Sequence, residues 1–220
     1  MTSDEKMQIL LSLEKKSFLT QEDFKLMLDF SSDNDSFVKC SLASLFVNFT
    51  NEKSKRILLE FLSDKNINVR IEAADSLSYF NDNEVVSALK NASIFDKNYL
   101  VRGYAISSIG HISKNIKFIR EEIFEHICNR LSIEKMVFCK LNCYFALYLL
   151  GKKQYLDNIL KLINTKSYRN RCAVVNTLAE LCDKNNIATI TTILKKRAKI
   201  EKTVAVSSTI YDCLVKLQKE

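Results

Sequence analysis

The sequence predicts an all-α fold in which antiparallel helix pairs stack into a solenoid, and three observations support this prediction. The stretch 64–77, Asp-Lys-Asn-Ile-Asn-Val-Arg-Ile-Glu-Ala-Ala-Asp-Ser-Leu, returns in similar form at 96–109, 32 residues further on. A period of this length is typical of stacked-repeat proteins. The 220 residues include no Pro and only three Gly, which favours long helices over β-turns, and 47% of them are hydrophobic, enough for a continuous core.

Each element follows from apolar residues at helical spacing and from the polar breaks between them. Ser3 is a candidate N-cap, and Met7, Leu10 and Leu11 share one face of a first helix at about residues 3–16, which caps the stack. Six helix pairs follow in a single domain that spans residues 1–220, and their short connections predict antiparallel neighbours. The pairs occupy approximately residues 20–49, 51–80, 83–113, 114–151, 153–182 and 186–219.

The fourth and sixth pairs are the least regular. In the fourth, alignment of residues 105–110 with residues 146–151 places Cys143 where the repeat carries Arg102. The superhelix is therefore expected to bend there or to open a pocket. In the sixth pair, the candidate core residues of the last helix are Ile200, Val204, Tyr211 and Leu214.

The pattern of residues 64–77 resembles a HEAT repeat, and the bacterial HEAT-like form of the phycobilin lyases more than the eukaryotic form. The match is looser at 96–109 and at 33–46, where Lys39 replaces the Arg. The resemblance implies a right-handed, armadillo-like solenoid whose second helices line a concave side. It implies no particular activity, because the family serves many functions. Arg70 is expected to reach back toward Asp64 and to orient the loop.

No catalytic residue, metal site or cofactor is predicted. His111 and His126 are the two His of the chain, and the sequence shows no triad in which either would serve as the base. Cys139 and Cys143 lie one helical turn apart, but without a second clean ligand pair they do not predict a closed zinc site. The glycine-rich motifs that bind phosphate are missing from the sequence.

The sequence also predicts a cytoplasmic location. Seven Cys in a chain without a secretory signal are typical of a reducing compartment. The first residues are charged, and no apolar run approaches the roughly 18 residues that a membrane span needs, so no span is predicted.

Charge is distributed unevenly along the chain, whose net charge is +7. Residues 1–35 carry 4 Lys against 8 Asp and Glu, whereas residues 114–202 carry 18 Lys and Arg against 8. This asymmetry fits a nucleic-acid or acidic protein partner, and it equally fits well-solvated outer helix faces. One basic patch could bind phosphate, or its cations could simply suit the end of a helix. It consists of Lys195, Lys196, Arg197 and Lys199.

The second helices are expected to present a concave groove that binds a partner, and Tyr suits such a surface because it joins a rigid apolar face to a polar tip. The predicted function is a non-catalytic scaffold that holds a protein or peptide in this groove. The alternatives are a nucleic-acid binder, and an enzyme related to HEAT-like lyases or DNA glycosylases. The concave Trp residues of those glycosylases have no counterpart here, because the chain contains no Trp. The predicted groove residues are Glu72, Asp75, Tyr79, Tyr104, Ser108, His111, Tyr144 and Tyr148.

Overall fold

The computed structural model describes residues 1–116 and 119–217, and every regular element in these residues is a helix. The predicted all-α solenoid is confirmed. Two short 3-10 helices, Leu77–Tyr79 and Leu162–Asn164, extend the fifth and the tenth α-helix. The α-helices are α1 Ser3–Glu14, α2 Gln21–Phe30, α3 Ser36–Phe46, α4 Glu52–Phe61, α5 Ile67–Ser76, α6 Asn83–Phe95, α7 Tyr99–Ile112, α8 Arg120–Ile133, α9 Val137–Leu149, α10 Tyr155–Lys161, α11 Tyr168–Leu181, α12 Ile187–Ala198 and α13 Val204–Leu217.

Polar loop residues start many of the helices, which explains the Asn- and Asp-rich connections. Thr2 and Thr20 each form a capping box with an acid three residues later. The side chains of Asp35, Asn51 and Asn66 accept hydrogen bonds from amides in the first turns of α3, α4 and α5. These bonds satisfy N–H groups that have no partner within the helix.

The helices form two layers. An inner layer contains α1, α3, α5, α7, α9, α11 and α13, and an outer layer contains α2, α4, α6, α8, α10 and α12. Most neighbouring inner helices contact one another closely, whereas outer neighbours such as α4 and α6 barely touch. Because the outer helices fan apart, the inner layer forms the concave side of the solenoid.

A ladder of ion pairs joins the loops that precede the inner helices. Near the start of α5, Arg70 Nε lies 2.7 Å from Asp96 Oδ2 in the loop of the next repeat. Arg102 of α7 is paired in the same way with Glu134, with Nε 3.2 Å from Oε2. The common register of these pairs shows that the inner helices run parallel. The remaining pairs are Lys6 with Asp33, Lys39 with Asp64 and Arg171 with Glu201.

The predicted contact between Arg70 and Asp64 forms through the backbone. Arg70 Nη1 donates a hydrogen bond to the Asp64 carbonyl oxygen at 2.8 Å. The Asp64 carboxylate is paired with Lys39 of the preceding repeat, with 2.6 Å between Oδ2 and Nζ. Each basic residue thus orients its own loop or the next one, and the ladder fixes the register between successive repeats.

The register of α9 differs from the predicted one. Val137 begins α9 as Tyr99 begins α7. Counted from these starts, Lys140 stands where α7 carries Arg102, so the prediction that Cys143 stands there is wrong. The predicted alignment matched two glycines in different settings, since one lies inside α7 and the other follows the end of α9.

The ladder lacks the pair between α9 and α11 because the acid is missing. Thr165 occupies the loop position that acids hold in neighbouring repeats, and its hydroxyl is buried without a hydrogen-bond partner in the described residues. Lys140 makes no ion pair within residues 1–116 and 119–217. The apolar core divides within α9, because Ala146 belongs to the cluster shared with α7 and Phe145 to the cluster shared with α11.

The predicted core of the last helix is wrong in three of its four residues. Ile200, Val204 and Tyr211 are exposed, and only Leu214 packs against the core. The predicted core starts at Ile200, but Ile200 precedes Glu201, a loop acid of the ladder, and α13 begins only at Val204. The buried face of α13 consists of Val206, Ile210, Cys213 and Leu217.

Candidate functional site

The concave side contains a groove along α5 and α7, towards their carboxyl-terminal ends. Glu72 and Asp75 lie one turn apart on α5, and the exposed Tyr79 lies in the 3-10 helix that follows. Tyr104 and His111 occupy the equivalent positions of Glu72 and Tyr79 on α7, and both are partly buried. The structure therefore brings these five predicted groove residues onto one concave surface.

The surrounding protein disfavours negative charge in this groove. Burial raises the pKa of Asp75, and burial followed by the charge of Asp75 raises the pKa of Glu72. Asp75 is exposed to solvent. Its pKa therefore rises because the walls of the groove displace part of the water around the carboxylate, and not because the carboxyl group is enclosed. Burial, and then the charges of Asp75 and Glu72, also raises the pKa of Tyr104. Neither carboxylate has a cation partner among the described residues, so both would gain from a cation on a ligand.

The groove closes where α7 meets α11 across α9. His111 Nε2 lies 3.3 Å from Glu180 Oε1, although α9 separates the two helices. The imidazole ring packs on Phe145 of α9, with 5.2 Å between the ring centroids. Burial and the nearby Lys114 lower the pKa of His111 to about 4. The imidazole is therefore neutral at pH 7, and its contact with Glu180 is not an ion pair at this pH.

A polar cavity of about 440 Å³ lies beside this contact. Its lining includes Asp75, Tyr79, His111, Lys114 and Glu180, and all the other lining residues are polar too. The volume falls in the range of about 300–1,000 Å³ that small ligands occupy, but such ligands prefer apolar walls. The cavity is better suited to a polar side chain of a bound peptide.

Three predicted groove residues do not line the groove. Ser108 is fully buried, and its hydroxyl has no hydrogen-bond partner in the described part of the chain. Tyr148 is 4% exposed, and its hydroxyl accepts a hydrogen bond from Asn186 Nδ2 at 3.0 Å. Tyr144 stacks on Tyr155 of the outer helix α10, with 5.8 Å between ring centroids. The error in the register of α9 accounts for both tyrosines.

Close packing of α9 on α7 accounts for the burial of Ser108, which lies between two glycines of α7. A Cβ atom on Gly110 would lie 2.8 Å from Cα of Ala146, and one on Gly103 would lie 2.5 Å from the Phe138 ring. Only glycine allows this approach without a shift of the neighbours. The two helices therefore cover the side chain that the helical period alone would place on the surface.

Glu180 and Lys114 were not among the predicted groove residues. A signal for Glu180 exists, because Tyr79, His111 and Glu180 each follow the Arg of their own repeat by nine residues. All three therefore stand at the same point of an inner helix. Lys114 follows the end of α7, where no repeat position predicts it.

The predicted basic patch lies on the outer layer. Lys195 and Lys196 are exposed in the last turn of α12, and Lys199 follows that helix. Arg197 is held within the protein, because its Nη2 lies 2.7 Å from Glu201 Oε2. One of the four cations is therefore committed to the ladder, and the three lysines face away from the groove.

Buried cysteine thiols are protonated at neutral pH. Burial is the main cause that raises the pKa of Cys139 to about 12 and that of Cys40 to about 11, so neither is a thiolate at pH 7. No three or more His, Cys, Asp and Glu residues lie together as a possible metal site in the described ranges. None of the helices in the described ranges combines the length and the hydropathy of a membrane span.

Comparison with protein families agrees with the repeat pattern. Residues 25–118 match a family model described as HEAT repeats. The predicted resemblance is thus confirmed, and the matched region includes the groove helices α5 and α7. No curated protein matches the chain.

Solved structures resemble the chain at low sequence identity. The Escherichia coli protein YibA is 17% identical, with a TM-score of 0.55, and the match covers 97% of this chain and 76% of that chain. A match to the complex of CpcE and CpcF of phycocyanin lyase from Nostoc sp. is 13% identical, with a TM-score of 0.46, and covers 92% and 96% of the two chains. Human deoxyhypusine hydroxylase is 13% identical, with a TM-score of 0.43 and coverage of 99% and 97%. The last two are too distant to bear on function.

Proposed function

We propose that the protein is a non-catalytic scaffold that holds a segment of a partner protein in the concave groove. The observation that carries this proposal is the pair Glu72 and Asp75, two carboxylates without a cation partner in the described residues, beside Tyr79 and Tyr104. Solenoids of this kind present extended concave surfaces that suit binding. The polar cavity at the end of the groove offers room for a side chain of the partner.

The charge of the groove favours a partner segment that contains Lys or Arg. A cation beside Asp75 would stabilise its ionised form and offset the unfavourable effect of thin hydration. Tyr79 and Tyr104 offer ring faces on which a guanidinium group or an apolar side chain can pack. Binding of such a segment is expected to strengthen as the pH rises and the groove carboxylates ionise.

Two other functions have less support. Nucleic-acid binding through the basic patch is opposed by its position on the outer layer and by the pairing of Arg197 with Glu201. No arrangement of side chains in the described part of the groove supports an enzymatic role similar to that of lyases or glycosylases. We also propose a cytoplasmic location, because seven Cys fit a reducing compartment.

Selection of peptides from a random library displayed on phage, with the intact chain as the immobilised target, tests the proposed function. Enriched peptides are expected to be basic and to lose affinity by roughly tenfold or more in the double variant Asp75→Asn/Tyr79→Ala, since central aromatic and charged contacts carry most binding energy. The matched control is Phe18→Ala/Glu60→Gln, which changes an exposed aromatic and an exposed acid elsewhere. Peptides that bind both variants as they bind the parent would place the site outside the groove. A selection that enriches no peptide would remove the scaffold proposal.

A further inference from the structure

A row of exposed lysines lies along one edge of the solenoid. In five successive loops, one lysine directly follows the position of the ladder acid and lies at the start of an inner helix. Because the inner helices run parallel, their starts lie at the same edge of the inner layer, and the five lysines share this edge, which we call the lysine edge. It consists of Lys65, Lys97, Lys135, Lys166 and Lys202.

Neighbouring acids do not neutralise the lysine edge. The carboxylate beside Lys65 is paired with Lys39, and the carboxylate beside Lys97 is paired with Arg70. The acids beside Lys135 and Lys202 are each paired with two Arg side chains. At Lys166 the acid is missing from the sequence. None of the five lysines forms an ion pair within the part of the chain that the structure describes, and the amino-terminal ends of five helices add partial positive charge to the same edge.

Exposed apolar side chains flank the lysines on both sides. Three exposed side chains each stand two residues after a lysine of the edge. They are Ile67, Tyr168 and Val204, with exposed fractions of 42%, 44% and 83%. Three further side chains each stand two residues before a lysine of the edge and are at least 65% exposed. They are Phe95, Ile133 and Ile200. Among the described residues, the loops of the opposite edge expose only two large apolar side chains, Phe18 and Tyr79. Apolar surface concentrated on one edge marks an interaction site.

We propose that the lysine edge binds an extended, acidic segment of a protein in which apolar residues alternate with Asp or Glu. The lysines would pair with the acids, and the flanking rows would cover the apolar residues. Neighbouring helices pack about 8–10 Å apart, and an extended chain advances about 3.3 Å per residue. An acid at every third residue would therefore meet one lysine per repeat.

The composition of the edge favours protein over nucleic acid. Single-stranded nucleic acids bind to aromatic faces that stack on bases, whereas four of the six flanking side chains are aliphatic and only Phe95 and Tyr168 are aromatic. The surface also differs from the concave groove in position and in charge. The two proposals are therefore independent of one another.

Fluorescence polarisation with the intact chain tests the proposal. The probe is a fluorescein-labelled synthetic peptide of five Glu-Leu-Ser triplets, titrated at low and at physiological salt. The edge variant Lys65→Glu/Lys97→Glu/Lys135→Glu is expected to raise Kd at least tenfold, because it places like charges opposite the peptide. The control Lys53→Glu/Lys161→Glu/Lys196→Glu makes the same change of net charge on exposed outer-layer lysines and is expected to change Kd less than about twofold.

Two further measurements make the test decisive. The variant Ile67→Ser/Tyr168→Ser keeps every lysine and is expected to weaken binding about fivefold through the apolar rows alone, which answers the objection that charge reversal disturbs folding. The groove variant Asp75→Asn/Tyr79→Ala is expected to bind the peptide as the parent does, so the outcome separates this proposal from the proposed function. Equal losses in the edge and control variants, no binding at low salt, or tighter binding of a single-stranded oligonucleotide of equal charge at the edge would each overturn the proposal.

Discussion

The interface between α7 and α9 and the one between α9 and α11 join the same kinds of helix but are built differently. At the first, Gly110 lets the helices approach closely, and Arg102 is paired with Glu134. At the second, Lys140 has no acid to meet, because Thr165 occupies the acid position. The apolar core is continuous across each interface but divides within α9, because one cluster joins α9 to α7 and another joins α9 to α11.

The second interface shows that the ladder is not required for stacking. Other contacts hold α9 and α11 together, including the apolar cluster that they share and the hydrogen bond to the Tyr148 hydroxyl of α9 from Asn186, which follows α11. Apolar packing thus supplies the attraction between repeats. The ladder fixes the alignment of successive repeats and provides partners for partly buried charged groups.

The largest effect is expected where the ladder is most buried. Glu201→Gln removes the charge from a carboxylate that is 1% exposed and is paired with Arg171 and Arg197. We expect the free energy of unfolding to fall by about 3 kcal/mol, because two guanidinium groups lose their partner. Urea unfolding followed by circular dichroism measures this. Lys140→Gln is the control at the incomplete interface and should change stability by less than about 0.5 kcal/mol. Equal costs for the two variants would refute the difference between the interfaces.

A smaller loss is expected from the variant Gly110→Ala. The added Cβ would lie 2.8 Å from Cα of Ala146, and backbone cannot yield as a flexible side chain does. We expect a net loss of about 2 kcal/mol, after allowance for the better helix propensity of Ala. Thermal unfolding should show this as a lower Tm. Asn176→Ala, at an exposed position of α11, is the control and should leave Tm unchanged or slightly raised. An unchanged Tm for Gly110→Ala would mean that the close approach of α7 and α9 is not essential.

The two histidines should make the stability of the protein depend on pH. Burial is the main cause that lowers the pKa of His126 to about 4. The charges of Lys90 and Arg130 contribute to this lowering, and the charge of Glu122 opposes them. Below pH 6.5 the unfolded chain therefore gains a proton that the folded chain does not accept, and stability falls as the pH drops towards 4. This histidine is partly exposed, so we expect only about 1 kcal/mol of loss by pH 5.

Urea unfolding at pH 7 and pH 5 of the parent and of His126→Asn and His111→Asn measures this effect. Each variant should lose less stability than the parent between the two pH values. His111 lies beside the α9–α11 interface, so its variant should also weaken the contact between the two parts of the core at pH 7. Identical pH slopes in all three proteins would contradict the depressed pKa values.

The smallest effect is expected from completing the ladder. Thr165→Asp supplies the missing acid opposite Lys140, and a partly exposed pair of this kind should add about 0.5 kcal/mol. Thr165→Val is the matched control, because it removes the buried, unpartnered hydroxyl without adding a charge. Stabilisation by Asp that disappears in the Lys140→Gln background identifies the new ion pair in a double-mutant cycle. Stabilisation that persists in that background would assign the gain to another cause.

The sequence by itself determined the class of fold and the local chemistry of each repeat. The apolar period, the polar caps and the spacing from loop acid to Arg act within one helix and its loop, so a single repeat such as residues 64–77 contains them in full. The same local signals placed Glu72 and Asp75 of α5 and Tyr79 of the following 3-10 helix on one face. The repeat position of Glu180 was also readable, although only a comparison of several repeats shows it.

Only the tertiary structure decided which predicted side chains remain on the surface and which residues from different repeats meet. Ser108 is buried because Gly110 admits α9, and the contact of His111 with Glu180 depends on curvature across three helices. The register of α9 was misjudged because two glycines with different roles look alike in sequence. The lysine edge likewise depends on the stacking of the repeats, since the five lysines become neighbours only when their loops are aligned in space. Periodicity fixes the face of a helix, but packing between helices fixes its exposure.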